Sequence, residues 1–480
     1  MHMTQNPYAR HEVTASHPDI VLVRQFYRDI YVPEFPDSSE RESLENMERY
    51  LEVKAEGWYQ KNNYHILLYL DKGTPIAGSI IDYLAEPNVG VIEFLVVSSS
   101  LRLTGLGKQL LQWTEDTLNE DSRRAGYNGW AYIIAEVNDP FKLNDMPDSM
   151  DPFQRTMIWH RWGYKKISFP YVQPALSPDK EPVRNLLLLC KPGTSSNLNA
   201  IPSTILREAV FGYALWAMRI DNPNDNKECQ EMGRYLAEHG IISLVLLAFY
   251  IGDASVRRLM FTDLTGEHRD ELDVVLDIYA REFSDGPTSV PRELFKQALM
   301  SDMLEGKPFD YHLISIKTAD GATPQGMASF FTFPGAGFGG YIVFDPATRG
   351  KGYLSEVITF IERRMVMDKK GGCGWYCECA PSDDTASIFK KRGFYEVDII
   401  YRQPPLYGQP QYIFDEAPIL HLMYKEFGDN FEPPRLSTDD FLCALSWIYR
   451  VIYQIDEPEV SEYYQQVRMQ TEGETFIRWK

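Results

Sequence analysis

The stretch Arg102-Leu-Thr-Gly105-Leu-Gly107 follows an apolar run, Val91-Ile-Glu93-Phe-Leu-Val-Val97, and opens onto Lys108-Gln-Leu-Leu-Gln-Trp113. The first run has the β-branched and aromatic composition of a strand; the last has the pattern of a helix start. A strand, a glycine turn and a helix start make an anion site, because exposed backbone N–H groups and the helix dipole converge there. Glycines at 105 and 107 let that backbone approach a phosphate closely.

Outward from this stretch, the chain is written twice. Asp29-Ile-Tyr-Val-Pro-Glu34-Phe-Pro-Asp37 recurs as Asp277-Ile-Tyr-Ala-Arg-Glu282-Phe-Ser-Asp285. Tyr64-His65 returns as Tyr311-His312, Arg102-Leu-Thr-Gly105 as Arg349-Gly-Lys-Gly352, and Trp162-Gly163-Tyr164 as Arg392-Gly393-Phe394. Tyr171-Val-Gln-Pro-Ala-Leu176 returns as Tyr401-Arg-Gln-Pro-Pro-Leu406, and Ile220-Asp-Asn-Pro223 as Ile455-Asp-Glu-Pro458. The matches keep their order and nearly keep their separation, so the unit is duplicated. In the first copy the pattern predicts two helices, then strands over Tyr64–Leu70, Pro75–Leu84 and Gly90–Val97. A helix from the glycine loop to about Asn119, a strand at Trp130–Val137 and a helix over Phe153–Trp162 follow, with Gly163 as its C-cap. Strands at Tyr164–Tyr171 and Arg184–Cys190 close the unit.

The Arg-x-x-Gly-x-Gly spacing and this element order resemble the GNAT family of acyl-CoA-dependent N-acyltransferases, over roughly residues 10–192 and 255–427. The resemblance implies an α/β (α+β) fold of two GNAT domains, each a mixed, mostly antiparallel sheet flanked by helices and followed by a helical appendage. The expected boundaries are 1–192 for an active domain, 193–252 for its appendage, 253–428 for a degenerate domain and 429–480 for the second appendage.

The family carries over onto this sequence residue by residue. Acetyl-CoA is the implied co-substrate. Its pyrophosphate would rest on the N–H groups of Leu103, Thr104, Gly105, Leu106, Gly107 and Lys108, with Arg102 and Lys108 adding positive charge. Backbone groups near Leu95 and Val97 would hold the pantetheine arm where the strand splays from its neighbour, and Asn138 would touch it from the next strand. An amine with a pKa of about 10.4 is mostly protonated at neutral pH, so an N-acyltransferase needs a base. Glu93, nine positions before Arg102, is a costly carboxylate in an apolar strand and occupies the place of the family's glutamate base. The alternative is that Glu93 faces solvent on an open side of the sheet. The general acid is harder to place: the family's usual tyrosine position holds Trp159, leaving Tyr171, His160 and Tyr132 as replacements. Tyr171 is carried as the catalytic candidate, although its recurrence as Tyr401 favours a structural role.

The second copy looks impaired. Leu354 stands where Gly107 would be, Gly340 where Glu93 would be, and Phe389 at the tyrosine position. This domain is expected not to transfer acyl groups but to shape the substrate cleft of the first, the chain acting as a monomeric internal pseudo-dimer.

Composition bounds the rest. A net charge of −20 in 480 residues argues against nucleic-acid or anionic-membrane surfaces and suits a cationic acceptor. The longest apolar run, Ile241–Gly252, is too short to span a bilayer, and no signal-peptide pattern opens the chain. Six cysteines, unevenly placed, suit a reducing cytoplasm, and Cys373, Cys377 and Cys379 lack the partners of a metal site, so no metal is expected. An added loop between Asp139 and Asp151 carries four aspartates that could meet a cation, or simply be solvated. The leading expectation is transfer of an acetyl group to a primary amine of a small molecule or peptide in a direct ternary complex. A non-catalytic CoA sensor or scaffold and a longer-chain acyltransferase are the alternatives.

Overall fold

The computed structural model describes residues 7–38, 41–57, 60–142, 149–177, 180–283, 289–302, 307–319, 321–381, 384–406 and 412–480. The chain forms two compact units, Met1–Tyr250 and Ile251–Lys480. Each is built on a mixed, mostly antiparallel sheet with helices on both faces.

In the first unit the strands are β1 (Ala9–Glu12), β2 (Asn63–Asp71), β3 (Thr74–Leu84), β4 (Val89–Val97), β5 (Tyr132–Asn138), β6 (Lys165–Ile167), β7 (Leu186–Pro192), β8 (Ala200–Pro202) and β9 (Ile241–Leu246). Their order across the sheet is β1-β2-β3-β4-β5-β7-β6-β9-β8, and only β4 and β5 run parallel. The β2–β3 hairpin closes through Lys72 and Gly73, both at positive φ (49° and 87°), the two-residue turn that matches strand twist. The Leu106–Arg124 helix lies directly on β4: a Cβ at Gly90 would come within 2.6 Å of Leu118.

The stretch 193–252, expected to be a helical appendage, also contains strands. β8 and β9 extend the sheet, with β9 formed by the longest apolar run, and the Ser203–Trp216 helix packs its Leu206, Ala209, Val210 and Tyr213 into the core beside Val89 and Val91. Alternation explains the strand: Ile242 and Leu244 are buried while Ile241 and Ser243 are exposed.

The second unit repeats this plan with β10 (Leu259–Asp263), β11 (Asp310–Thr318), β12 (Gly326–Phe333), β13 (Ala336–Phe344), β14 (Gly374–Cys379), β15 (Tyr395–Glu396), β16 (Tyr401–Arg402) and β17 (Ile419–Glu426). Here β13 and β14 form the parallel pair.

The duplication extends to buried charge. His65 on β2 places one ring nitrogen 2.7 Å from Glu12 and the other 2.7 Å from Asp121. His312 on β11 does the same with Asp263 (2.8 Å) and Asp368 (3.2 Å). Burial opposes charge on His312, but hydrogen bonds to the two aspartates outweigh it and raise its pKa to about 9. A raised folded-state pKa stabilises fully below the unfolded value near 6.5 and loses that contribution as pH climbs through 9. The second unit is therefore expected to lose on the order of 2–3 kcal/mol between about pH 6 and pH 9.5. His312→Gln should flatten that alkaline decline in chemical denaturation; an unchanged slope would mean that the ring is not charged in the folded unit.

Candidate functional site

The site is built where β4 leaves β5. The two strands pair from Val89↔Tyr132 to Ile92↔Ala135 and no further. At the same point the β3–β4 ladder shifts register: Ile81 pairs with Ile92 and Ile80 with Phe94, so Glu93 is the extra residue of a β-bulge. A bulge bends its strand and re-aims its side chain, which is why Glu93 and the parting of the strands coincide. Beyond it, Ser98 N–H donates to Ile76 O at 3.0 Å on the β3 side. Strand alternation then directs the backbone groups of Leu95 and Val97 to the opposite edge, which β5 has vacated.

A cleft of about 430 Å³ opens along that edge. Glu93, Leu95, Val97, Arg102, Leu103, Gly105, Gly107, Lys108 and Asn138 all line it, so the structure brings together most of the residues singled out in the sequence. Thr104 and Leu106 are not among its walls: Thr104 Oγ1 donates to Leu101 O at 2.7 Å, and Leu106 packs into a small core with Tyr69, Ala77 and Leu110. The glycine loop ends as the N-terminus of the Leu106–Arg124 helix. Gly105 is left-handed (φ 88°, ψ −3°), and a Cβ there would meet nothing within 4 Å. The constraint at 105 is backbone conformation, not space. Leu103 is also left-handed (φ 64°) and 93% exposed, an apolar side chain offered to whatever lies over the loop.

Arg102 also has partners within the protein. Its guanidinium is held by the Glu34 carboxylate and donates to the Ser149 carbonyl at 2.6 Å, so its charge is already matched. The second unit repeats the pairing as Arg349 with Glu282 at 2.6 Å. The repeated Asp-Ile-Tyr-x-x-Glu motif thus anchors the glycine loop, a role that became visible only in three dimensions.

Glu93 does not face solvent. It is 9% exposed, and burial, with Asp82 next and then Glu42 and Glu136, pushes its pKa well above the carboxylate range. Tyr171, the candidate acid, is not a wall of the cleft. Its hydroxyl donates to Glu136, burial together with that carboxylate raises its pKa far above 10, and its proton is committed there. Tyr213 also donates to Glu136, at 3.3 Å. In the second unit Tyr401 and Tyr453 donate to Glu378 at 2.6 and 2.7 Å, so the arrangement belongs to the duplicated scaffold. Trp159 lines the cleft beside Trp162, while His160 and Tyr132 do not. Of the aspartates in the added loop, Asp145 and Asp148 lie outside the described residues. Asp139 is buried and accepts from Tyr250 at 2.7 Å, and Asp151 caps the Pro152–Arg161 helix through Gln154 N–H at 2.7 Å, so neither waits for a cation.

In the second unit β13 parts from β14 after Gly339, and Gly340 is the bulge residue. The counterpart of Glu93 therefore has no side chain. A cavity of about 580 Å³ at the parting of β13 and β14, rich in aromatic side chains, does not reach the loop Arg349–Leu354. Arg258 instead donates to the Lys351 and Gly352 carbonyls at 3.1 and 3.3 Å. Among the described residues no group of three His, Cys, Asp or Glu could hold a metal ion, and no helix is long and apolar enough to cross a membrane.

Residues 24–139 match the family model described as "Acetyltransferase (GNAT) family". The first unit accordingly carries a domain of the GNAT acetyltransferases, and the second repeats its topology. No curated protein matches the chain. Among solved structures, a tandem GNAT protein from the clavulanic acid biosynthesis pathway is similar over 88% of this chain and 100% of its own, at 9% identity and a TM-score of 0.27. A protein assigned to the GNAT acetyltransferases of Bacteroides thetaiotaomicron matches over 41% of this chain and 99% of its own (16% identity, TM-score 0.31). The ribosomal-protein-S18-alanine N-acetyltransferase of Escherichia coli matches over 39% and 98% (13% identity, TM-score 0.24).

Proposed function

We propose that the first unit transfers an acetyl group from acetyl-CoA to a primary amine within one ternary complex. The observation that carries this reading is a buried carboxylate at the bulge where β4 departs from β5, at the head of a cleft that ends on a helix N-terminus. The vacated edge at Leu95 and Val97 suits the amides of a pantetheine arm, and the loop from Leu103 to Lys108 suits a pyrophosphate. Glu93 would take the proton of the acceptor amine. An N–H of the open β4 edge would donate to the thioester carbonyl as it gains negative charge. The second unit lacks the carboxylate, and its cavity at the parted strands does not reach the loop Arg349–Leu354, so we assign no transfer to it.

CoA release from acetyl-CoA over a panel of tyramine, spermidine, kanamycin and a peptide with a free N-terminus tests the reading. Amine-dependent release by the full chain is expected; none with any of the four would overturn it. Gly105→Val probes the loop separately. A β-branched residue held at φ 88° costs about 1–3 kcal/mol or forces the turn to rearrange. KM for acetyl-CoA should rise roughly tenfold while that for the amine moves little. An unchanged KM would place the pyrophosphate elsewhere.

A further inference from the structure

Asp82 on β3 is a strongly buried carboxyl group beside the cleft that the reading above does not use. Asp82 pairs across the ladder with Val91, two positions before Glu93, on the same face of the sheet. It is 1% exposed and lies behind Glu93, outside the walls of the cleft. Both Asp82 carboxyl oxygens and Glu93 Oε1 are buried and find no donor among the described residues. Burial raises the pKa of both carboxyls; the Asp82 charge raises that of Glu93 further, while a hydrogen bond from Glu93 lowers that of Asp82, so the two do not ionise together. A proton held between them supplies the missing donor.

The duplicated unit gives an independent observation. Register matching from the bulge places Phe331, paired with Phe338, where Asp82 stands, and Gly340 where Glu93 stands. The copy without one carboxylate is also without the other, although it keeps the bulge, the parted strands and the Glu378–tyrosine cluster. A carboxylate needed only for the fold of β3 had no reason to go with its neighbour.

We propose that Asp82 and Glu93 act as one proton-sharing pair that binds the acceptor as its primary ammonium cation and takes the proton that frees it for attack. The inference rests on the acyl-transfer reading of the first unit. With one proton between them the pair carries a single negative charge, which matches one ammonium group. Proton transfer leaves a neutral amine and a doubly protonated pair. The nitrogen then forms its bond to the thioester carbonyl carbon as the carbon–sulfur bond breaks. The second N–H proton ends on the CoA thiol, and the pair returns its extra proton to solvent. Asp82 is a positioning residue, acting through Glu93. The other titratable groups around the pair are Glu42, Glu136 and the hydroxyls of Tyr31, Tyr50 and Tyr213, with the His65 ring beyond Asp82.

The test is the pH profile of kcat/KM for the full chain and for Asp82→Asn, with acetyl-CoA and the panel amine acetylated fastest. Asparagine puts one ordinary amide donor where the shared proton was, so the acidic limb should move up, because Glu93 then ionises without the shared proton that stabilises its charge. The plateau should fall a few-fold, since the single carboxylate must both hold the ammonium group and take its proton. Asp82→Ala, with no group to donate, should raise the limb further, by about one pH unit, and serves if the asparagine variant folds poorly. Transfer by the wild type with an unmoved limb in both variants would overturn the pair and leave the acyl-transfer reading standing. No transfer by the wild type would remove that reading and the pair with it.

Discussion

Exchange of Glu93 for glutamine is expected to lower kcat/KM for amine acetylation by 10²–10⁴-fold, the usual worth of a positioned base, about 3–5 kcal/mol. Glutamine keeps the volume and the planar end group, so the bulge and the strand parting should survive. It cannot take a proton, and its amide would meet Asp82 as a donor, releasing Asp82 to ionise. The acceptor should then still be drawn to a negative charge, and the defect should lie in kcat more than in the KM of the amine. Acetyl-CoA should bind unchanged, because the vacated β4 edge and the glycine loop do not depend on this side chain. A loss confined to acetyl-CoA affinity would show that Glu93 shapes the cleft instead of serving the amine. Stopped assays of CoA release, with calorimetric titration of CoA into the variant, separate the two outcomes.

The second large effect is on stability. Lys425→Met is expected to destabilise the second unit by about 3–5 kcal/mol at neutral pH. Lys425 Nζ lies 2.6 Å from Glu362 and donates to the Gly428 carbonyl at 2.6 Å, and both side chains are nearly inaccessible. Glu362 also accepts from Trp375 Nε1 at 3.2 Å and Gly428 N–H at 3.0 Å. Without the ammonium group it keeps these two neutral donors and loses the cation paired with it. Burial already outweighs Lys425 and raises the Glu362 pKa, and the substitution should raise it further. A raised carboxyl pKa destabilises as pH rises above the unfolded value near 4.5, so the deficit should be large at pH 8 and small at pH 4.5. Lys425→Met combined with Glu362→Gln should recover most of the loss. Urea denaturation at the two pH values checks this, and a pH-independent deficit would point to lost packing of the lysine stem instead. The first unit has the same pair as Lys191 and Glu115, 2.7 Å apart, but more open to water, so Lys191→Met should cost less.

How much of this was legible depends on how local each signal is. The strands β2 to β5 and the glycine-loop helix were visible because each is a run of one periodicity bounded by turn residues. The edge strands β1 and β10 were not: Ala9-Arg-His-Glu12 is exposed and polar and becomes a strand only because β2 offers it a ladder. The strand expected over Tyr164–Tyr171 shrank to Lys165–Ile167, because beyond Ser168 the backbone bonds to itself: Phe169 N–H donates to the Ile167 carbonyl and Tyr171 N–H to the Phe169 carbonyl, both at 2.9 Å. Glu93 was found because a carboxylate in an apolar run has to be explained. Asp82 carried the same signal within Ser79-Ile-Ile-Asp82-Tyr-Leu84 and was missed, since nothing local told it to meet Glu93.

By itself the sequence determined the duplication, the element order, the glycine loop before the helix and the asymmetry between Glu93 and Gly340, since all of these are written in residue types at fixed spacing. Only the tertiary structure decided that Arg102 is paired with Glu34, that Tyr171 is tied to Glu136, and that Glu93 and Asp82 are buried side by side on one face of the sheet. The physical reason is that backbone preference and amphipathic period act over a few residues. Hydrogen-bond partners, burial and the charge a carboxyl carries are set by residues that only folding brings within a few ångströms.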